Sequence, residues 1–380
     1  MDLQEVRKNI DVIDDEIAKL YAKRMELAAE VAKNKVKDGL PIENTEREKQ
    51  IINRVTAAMP DEVKLYGKQV FETMFETSKA YQYGAVDCKS PVKDEIKNAL
   101  ASGVKPFPIS ASVACQGVQG AYSCIAADKI FPISSISCFR TWDGVFSAVE
   151  KGFCEFGILP IENSTAGSVI GVYDLMRKHK FYIVRSIKLR VKHYLLAREQ
   201  VNIADIKEIV SHDQALTQCS ELIKSLGDVK ITRCDNTAVA AKLVAESGRN
   251  DIACISSKEC AGIYGLQVVK AGVNDKDNNY TRFIAISKQM RVYEGADRIS
   301  ITVNLAHEAG SLNKLMNKFS TLGLNLTKLE SRPIPDSPFE FTFYFDFEAD
   351  IRAAEVQNLL ADIALKADNF AFLGAYEELQ

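Results

Sequence analysis

Polar side chains gather at the ends of predicted strands in the middle of this 380-residue chain. Between a strand and a helix, the stretch "PIENSTAGSV" sets four of them in a row: Glu162, Asn163, Ser164 and Thr165. One Ser or Thr would suffice to cap the helix. In "SHDQALTQC", Ser211 is a predicted helix cap and Gln218 lies on the same helix face. Hydroxyl and amide groups placed in this way can hydrogen-bond a small polar substrate and stabilise the charge that develops as it reacts.

A second group of residues that could bind an anion lies in residues 1–86, which are predicted to be all helix. Apolar residues of the first helix recur at alternating steps of three and four, which is a heptad seam: Leu3, Val6, Ile10, Ile13, Ile17, Leu20, Leu27 and Val31. Arg24 interrupts the seam, and because burying an unpaired charge is costly, an anion is expected to meet it. Lys35 lies only about 20° around the helix from Arg24 and points the same way.

Arg7 lies on the same helix, about 260° around and roughly 25 Å along the axis from Arg24, so it cannot serve the same pocket in one chain. A first helix of about 35 residues would be about 50 Å long, too extended for three helices to bury alone. We therefore expect this segment to dimerise and Arg7 to reach the pocket of the partner chain.

The next two helices add polar groups. Thr45 and Glu48 have the spacing of a capping box in "TERE", and Ser78 and Gln82 continue the apolar face of the third helix at i, i+4. Simpler interpretations stay open: Arg24 sets a coiled-coil register, and Glu48 is only a helix cap.

Taken together, these residues resemble the active-site set of the all-helical chorismate mutases: Arg7, Arg24, Lys35, Arg47, Glu48, Ser78 and Gln82. The resemblance implies that the arginines hold the two carboxylates of chorismate. Lys35 and Gln82 would hydrogen-bond the ether oxygen that gains charge as the C–O bond breaks, with Glu48 as a further catalytic residue. A pericyclic rearrangement needs no covalent step, since a held conformer and fixed donors assist it. Asn44 would bind substrate where the family's P-x-x-D-x-x-R-E stretch usually has aspartate, so we expect altered efficiency more than loss.

Residues 110–290 alternate short strands with helices, which predicts an α/β domain with mainly parallel sheets and ligands at the strand ends. Before it, residues 87–109 combine charge, Ser and three prolines, and are predicted to be a linker with one short helix. In "QGVQGAYS", glycines at 117 and 120 suit a tight turn and close backbone approach at a helix N-terminus. The stretch lacks the full G-x-G-x-x-G motif of dinucleotide-binding domains.

The polar motifs of this segment, in this order, resemble those of prephenate dehydratase. The family's T-R-F motif stands here as Thr281, Arg282 and Phe283, its E-N-S/T-x-x-G stretch as residues 162–167, and its S-H-P-Q as S-H-D-Q with Asp213 for proline. The resemblance implies two α/β lobes of the type II periplasmic-binding-protein kind, with the active site in the cleft between them.

In that site prephenate loses carbon dioxide and hydroxide as its ring becomes aromatic, and Thr281 is the implied donor to the leaving hydroxyl. The substrate-binding set implied beside it is Glu162, Asn163, Ser164, Thr165, Ser211, Gln218, Arg282 and Phe283. Whether Arg282 touches substrate or braces the loop stays open.

Residues 298–380 follow the order βαββαβ of the ferredoxin-like plait, and "FEFTFYFDF" puts five phenylalanines at period two. On pattern alone a generic oligomerisation domain fits. "GSL" and "ESRP" resemble the two motifs of the phenylalanine-binding ACT domain in the same enzyme family, with Ser311 for the usual alanine. The resemblance implies that phenylalanine sits between paired domains, held by Gly310, Ser311, Leu312, Asn325, Leu326, Glu330, Ser331 and Arg332.

Composition limits the partners, the cellular compartment and the metals that we expect for this protein. The net charge of −3 gives no electrostatic case for nucleic acid or an anionic membrane, and no apolar run approaches the roughly 20 residues of a membrane span. Nine cysteines without a C-x-x-C pair indicate reduced thiols in a cytoplasm. The four histidines are not spaced with Cys or carboxylates as metal ligands, so we expect no metal and no cofactor.

The three resemblances together imply a bifunctional enzyme that carries chorismate through prephenate to phenylpyruvate, as a homodimer or tetramer inhibited by L-phenylalanine. Its expected domains are an all-α mutase domain over residues 1–86, a two-lobed α/β dehydratase domain over 110–290 and an α+β ACT domain over 298–380. Two alternatives remain. The helices could be a dimerisation arm with degenerate sites, or the whole chain a non-catalytic amino-acid sensor.

Overall fold

The computed structural model describes residues 2–38, 40, 43–85, 90–101, 103–308, 310–334, 337 and 340–380. Parts of the predicted linker, 87–89 and 102, lie outside the described residues, as does Phe339 of the phenylalanine run. The chain forms two compact units. One joins Met1–Ser102 with Arg298–Phe372, and the other joins Gly103–Asp297 with Leu373–Gln380. Each unit is therefore assembled from two segments that are distant in sequence.

Four helices begin the first unit: α1 Leu3–Lys37, α2 Thr45–Ala57, α3 Asp61–Ala85 and α4 Pro91–Ala101. α1 starts at Asp2, whose side chain accepts a hydrogen bond from the Glu5 amide at 2.8 Å. α1 buries Ala32, but its heptad seam is exposed, from 36% at Val6 to 68% at Leu20. The predicted seam is thus an apolar stripe that a single chain leaves uncovered.

The cap of α2 corrects one prediction. Asn44 caps this helix, because its Oδ1 accepts a hydrogen bond from the Arg47 amide at 2.9 Å, and the helix begins at Thr45. Thr45 is therefore the first helical residue and not the cap of a capping box with Glu48. A short amide side chain just outside the helix reaches the third amide directly, which is the preferred capping geometry.

The first lobe of the second unit contains β1 Ser110–Gln116, α5 Tyr122–Ile130, β2 Ile133–Phe139, α6 Trp142–Glu150, β3 Phe156–Asn163, β4 Gly167–Ser168, α7 Ile170–Lys178 and β5 Tyr182–Arg190. The second lobe contains β6 Tyr194–Ala197, β7 Glu208–Ser211, α8 Asp213–Gln218, α9 Ser220–Ser225, β8 Lys230–Arg233, α10 Thr237–Glu246, β9 Ile252–Ser256, α11 Lys258–Tyr264 and β10 Gln267–Lys270. The chain then returns to the first lobe through β11 Tyr280–Ser287.

Both sheets are mixed, not mainly parallel as expected. β1 is parallel to β2 and β3, whereas β11 lies between β3 and β5 and is antiparallel to both. In the second sheet β7 is parallel to β8 and β9, whereas β6 is antiparallel to both of its neighbours, β9 and β10. The antiparallel pairs arise where the chain crosses between the lobes, because a crossing strand enters each sheet from the cleft side.

The last segment has the predicted order βαββαβ: β12 Arg298–Asn304, α12 Ser311–Thr321, β13 Asn325–Pro333, β14 Phe341–Glu348, α13 Ala354–Lys366 and β15 Asn369–Leu379. Phe345 and Phe347 of β14 are fully buried, and the Phe319 ring of α12 packs on both at 5.6 and 5.0 Å between ring centroids. The helices α12 and α13 pack against α3, and α13 also packs against α4. No helix in the described residues is long and apolar enough to cross a membrane.

A buried carboxylate at the start of β7 ties together the second lobe. Glu208 is 5% exposed and accepts hydrogen bonds from Thr232 Oγ1 at 2.7 Å, Lys230 Nζ at 2.9 Å and Arg249 Nη1 at 2.6 Å. These donors, with Thr232 contributing most, lower the pKa of Glu208 to about 2. A carboxyl whose folded pKa is depressed stabilises the fold above its ordinary pKa and loses that contribution as the pH falls.

Replacing this carboxylate should therefore cost stability in a pH-dependent way. We expect Glu208→Gln to lower the unfolding temperature of the second unit by about 2–4 °C at pH 7. The difference from the unsubstituted chain should shrink as the pH falls from about 4.5 toward 2, where the native carboxyl also becomes protonated. Thermal unfolding across this range measures it, with Glu246→Gln on the exposed face of α10 as control. An unfolding difference that does not change with pH would contradict the assignment.

Two candidate active sites

A cavity of about 690 Å³ lies between the two lobes of the second unit. Four of the sequence-predicted residues line it: Asn163, Gln218, Thr281 and Phe283. Other lining residues come from both lobes and include Gln116, Tyr122, Arg140, Thr141, Trp142, His193, His212, Asp213, Asp235 and Asn236. The cavity therefore sits where the resemblance places the active site.

The threonine of the cavity is oriented by one amide. Asn163 Oδ1 accepts hydrogen bonds from the backbone amides of Thr165 at 3.0 Å and Ala166 at 2.9 Å, which fixes the Asn163 side-chain NH₂ on the other side. That NH₂ lies 2.9 Å from Thr281 Oγ1. Because an amide NH₂ can only donate, Thr281 accepts, and its own hydroxyl proton is left for a group in the cavity.

A second amide, Gln218, connects the two lobes. Its Nε2 donates to Thr165 Oγ1 at 2.9 Å, and its Oε1 accepts from Asn279 Nδ2 at 2.8 Å. His193 Nε2 lies 3.0 Å from the same Oε1, so it carries the proton of the neutral imidazole. Burial lowers the pKa of His193 against the opposing hydrogen bond to Gln218, which favours that neutral form.

Three helices begin at the cavity wall and supply positive potential. The N-terminal caps of α5, α6 and α10 are Ala121, Thr141 and Asn236, and all three line the cavity beside the Arg140 guanidinium. Helix N-termini carry unsatisfied amide groups and favour anions. The cavity can therefore bind a dicarboxylate without a cluster of lysines.

The Gly117–Gly120 turn brings the lobes close together on one side. Gly120 has φ +86°, and a Cβ there would lie 2.8 Å from Cys260 Sγ of α11. Tyr264 of α11 donates from its hydroxyl to the Gln119 carbonyl at 2.7 Å. The two glycines thus allow the backbone of this turn to approach side chains of the second lobe closely.

Some predicted dehydratase residues lie away from the cavity. Arg282 is on the opposite side of β11 from Thr281, where its Nε is 2.7 Å from Glu378 Oε2 and its Nη2 donates to the Tyr376 hydroxyl at 2.8 Å. Arg282 does not line the cavity, and these contacts favour a bracing role over substrate contact. Glu162 is directly opposite Arg282 in the strand register and shares its face.

Two serines also have structural roles. Ser211 is fully buried and donates to the Ile255 carbonyl at 2.6 Å, while His212 caps α8, so the predicted cap was wrong by one residue. Ser164 Oγ donates to the Asn278 carbonyl at 2.8 Å and accepts from the Tyr280 amide at 2.9 Å. Both serines fix backbone around the cavity without lining it.

The cavity also contains residues that the sequence did not single out. Thr141 and Asn236 follow strands and cap helices, which is the pattern that drew attention to residues 162–165, so their positions could have been found. His193 and Arg140 carry no such local signal. Among the described residues, no group of three or more His, Cys, Asp or Glu side chains could hold a metal ion.

A second cavity, of about 330 Å³, lies among α1, α2 and α3 in the first unit. Its walls include seven of the predicted mutase residues: Arg24, Lys35, Asn44, Arg47, Glu48, Ser78 and Gln82. Arg7 does not line it, in agreement with its position far along α1. Lys79 also lines the cavity, although the sequence pattern does not mark it.

The environment of the Arg24 guanidinium at the cavity wall favours binding of an anion. This guanidinium lies 5.4 Å from the centre of the Phe75 ring, and its Nη1 is buried with no hydrogen-bond partner among the residues that the structure describes. Burial lowers the pKa of Arg24 against the opposing charges of Tyr21 and Glu48. Since buried donors are almost always satisfied in native proteins, this nitrogen indicates a missing acceptor. Across the cavity, Gln82 Nε2 donates to Ser78 Oγ at 3.2 Å.

The residues predicted to bind the ligand L-phenylalanine lie on two elements of the last segment. Gly310, with φ +87°, precedes α12, and Ser311 and Leu312 begin that helix. The others lie on β13, an edge strand, namely Asn325, Leu326, Glu330, Ser331 and Arg332. Asn325 Nδ2 donates to Glu348 Oε2 at 2.9 Å.

Comparison with known proteins matches both regions to families. Residues 113–291 match the family model of prephenate dehydratase, and residues 6–83 match that of chorismate mutase type II. Arogenate dehydratase/prephenate dehydratase 2 of Arabidopsis thaliana, a chloroplastic protein, is 39% identical over 276 residues, which cover 70% of this chain and 72% of that protein. A bifunctional chorismate mutase/prephenate dehydratase of Buchnera aphidicola is 29% identical over 97% of this chain and 95% of its own length.

A solved structure agrees with these matches. The prephenate dehydratase of Arthrobacter aurescens, crystallised with L-Phe, is 25% identical with a TM-score of 0.64, covering 70% of this chain and 90% of that one. The chain therefore belongs to the prephenate dehydratase family and carries a chorismate mutase type II domain ahead of its dehydratase domain.

Proposed function

We propose that the chain catalyses two consecutive reactions, chorismate to prephenate in the helical cavity and prephenate to phenylpyruvate in the cavity between the lobes. The observation that carries this proposal is the convergence of seven predicted mutase residues on one cavity and of Thr281, Asn163 and Gln218 on another. The first reaction then supplies the substrate of the second. This favours prephenate over its transaminated analogue, although a relative's name includes arogenate dehydratase.

In the mutase step the chain holds a compact conformer of a dicarboxylate. Arg24 offers its buried Nη1 to one carboxylate, and Arg47 lies across the cavity for the other. Lys35 and Gln82 donate to the ether oxygen as negative charge develops there, and Glu48 and Asn44 orient the ring hydroxyl side of the substrate. No bond to the protein forms, because fixed geometry and fixed donors lower the barrier of a pericyclic reaction.

Arg7 completes the site of a partner chain in this proposal. The exposed apolar stripe of α1 supports the pairing, since eight seam residues between Leu3 and Val31 are at least 36% exposed in the single chain. Covering such a stripe is the ordinary driving force for helix pairing. A dimer would place two mutase cavities along one pair of long helices.

In the dehydratase step the C–O bond to the ring hydroxyl breaks while the electron pair of the C–carboxylate bond moves into the ring and carbon dioxide leaves. Thr281 donates its hydroxyl proton in a hydrogen bond to the departing oxygen. Asn163 keeps that hydroxyl oriented, and the helix N-termini with Arg140 balance the carboxylates of the substrate. Phe283 gives the cavity an apolar wall beside the ring that becomes aromatic.

Residues 298–380 are proposed to be an ACT domain through which L-phenylalanine inhibits the enzyme. The βαββαβ order and the crystallisation of the Arthrobacter relative with L-Phe support this assignment. The ligand would lie between paired domains, at the start of α12 and along β13. The full domain plan is then a mutase domain over 1–86, a dehydratase domain over 110–290 and a regulatory domain over 298–380.

A single assay tests the whole proposal. Purified chain supplied with chorismate alone should release phenylpyruvate, and added L-phenylalanine should slow the release. If prephenate but not chorismate is consumed, the helices are a dimerisation arm. If neither is consumed while L-phenylalanine binds, the chain is a sensor.

Removing the threonine hydroxyl should stop the second reaction selectively. We expect Thr281→Val to lower kcat for prephenate by about 10²- to 10⁴-fold, because the leaving oxygen loses its donor. Chorismate consumption should stay unchanged. Stopped-time assays of phenylpyruvate measure the effect, with Thr217→Val as control, since that exposed hydroxyl donates to the Asp213 carbonyl at 3.0 Å. Turnover equal to the unsubstituted chain would refute the role of Thr281.

The two arginines of α1 allow a test of shared sites. We expect Arg24→Ala and Arg7→Ala each to lower chorismate consumption about 30- to 1000-fold, because a carboxylate loses its buried partner. Mixing the two variants after dissociation should restore about a quarter of the activity, since half of random dimers are mixed and each holds one intact site. Arg54→Ala, on the exposed side of α2, is the control. No recovery on mixing would place Arg7 outside the partner's site.

A further inference from the structure

A buried lysine, Lys79, forms part of the wall of the mutase cavity. Lys79 of α3 has a side chain that is only 8% exposed and lies between the cavity residues Ser78 and Gln82 in sequence. Its Nζ is 2.6 Å from Glu76 Oε1, 3.3 Å from Glu48 Oε1 and 3.7 Å from Glu43 Oε1. One cation is thus shared among three carboxylates, and one of these, Glu48, faces the cavity.

The charges continue from this lysine to the last helix of the chain. Glu43 presents Oε1 to Lys79 and Oε2 to Lys366 of α13, the latter at 2.6 Å. Lys366 is also 3.0 Å from Asp362, which in turn pairs with Lys318 of α12. Within the described residues the cluster therefore contains four carboxylates and three ammonium groups, drawn from α2, α3, α12, α13 and Glu43, which lies two residues before α2.

The pairing of Lys366 with Glu43 affects how strongly Lys79 is held by Glu48. If Lys366 did not occupy the second oxygen of Glu43, the whole charge of Glu43 would compete with Glu48 for Lys79. Burial lowers the pKa of Lys79, but the hydrogen bond to Glu76 and the charges of Glu76, Glu43 and Glu48 outweigh it and raise the pKa, so the lysine stays charged. A side chain that has lost a buried cation partner shifts position, and a shift of about 1 Å in a positioned group can cost 10²-fold in rate.

A purely structural role would be to neutralise carboxylates that join α2 to α3. Under that role, removing Lys79 would lower the stability of the fold, and its effect on the chorismate reaction would not depend on whether Glu48 is present. The geometry favours a role in the site, because Lys79 itself lines the cavity and its Nζ lies within 3.5 Å of both carboxylate oxygens of Glu48, which also lines it.

We propose that Lys79 is a positioning residue of the mutase site, which holds the Glu48 carboxylate against the cavity, and that Lys366 of α13 secures this contact by occupying Glu43. The inference rests on the proposed mutase activity. It makes the chorismate reaction depend on a helix of the last segment that lies far from the cavity residues in sequence.

A double-mutant cycle in the full-length chain tests this. Lys79→Met should lower kcat/KM for chorismate about 10- to 100-fold, but in a Glu48→Gln background the same change should lower it less than about threefold, since Lys79 acts through Glu48. Lys366→Met should give a smaller loss, about three- to tenfold, that also vanishes in the Glu48→Gln background. Lys68→Met is the matched control, because Lys68 lies on α3 in an exposed pair with Glu72 at 3.8 Å.

Prephenate turnover and thermal unfolding report whether each variant is folded. If Lys79→Met fails these checks, Lys79→Arg, which keeps the charge and changes the geometry, takes its place in the cycle. If the lysine substitutions lower kcat/KM by the same factor in the presence of Glu48 as in the Glu48→Gln background, the inference is overturned and the proposed function is unaffected. An unsubstituted chain that does not consume chorismate would overturn both.

Discussion

The Asn163 carboxamide is the constraint on which the cleft of the second unit depends. Its oxygen accepts from two backbone amides and the Thr165 hydroxyl, and its NH₂ contacts Thr281, Asn279 and the Tyr280 carbonyl. No other side chain of that length can both accept and donate in this way. Aspartate, which only accepts when ionised, would draw the Thr281 proton toward itself and away from the cavity. The direction of one hydrogen bond thus sets what the site can do.

The two cavities offer different physical means of binding the anionic substrates proposed for them. The mutase cavity uses side-chain cations, and these require nearby carboxylates so that buried charge stays balanced. The dehydratase cavity uses helix N-termini and neutral amides around one exposed guanidinium, Arg140. Backbone dipoles need no counter-ion, so the cleft keeps its polarity while the lobes provide apolar walls such as Phe283.

Sequence patterns predicted the long first helix, seven of the residues that line the helical cavity and four of those that line the cavity between the lobes, because periodicity and clustered polar groups are local properties. They did not predict the face of Arg282, since β11 is buried on both sides and the deciding partner, Glu378, lies 96 positions further along. Lys79 and His193 gain their roles from partners on other elements.

Glu43 pairs with Lys366, a residue that is synthesised much later than the helices of the mutase cavity. Lys366 leaves the ribosome about 320 residues after Glu43, which at roughly 5–20 residues per second takes about 15–60 s. Through that interval the first helices exist without α12 and α13, with the apolar stripe of α1 exposed. The stretch between them, Gly103–Asp297, emerges as one piece and is free to fold first. A nascent chain therefore gains the elements of its dehydratase cavity before the charge network beside its mutase cavity is complete, although the mutase helices are made first.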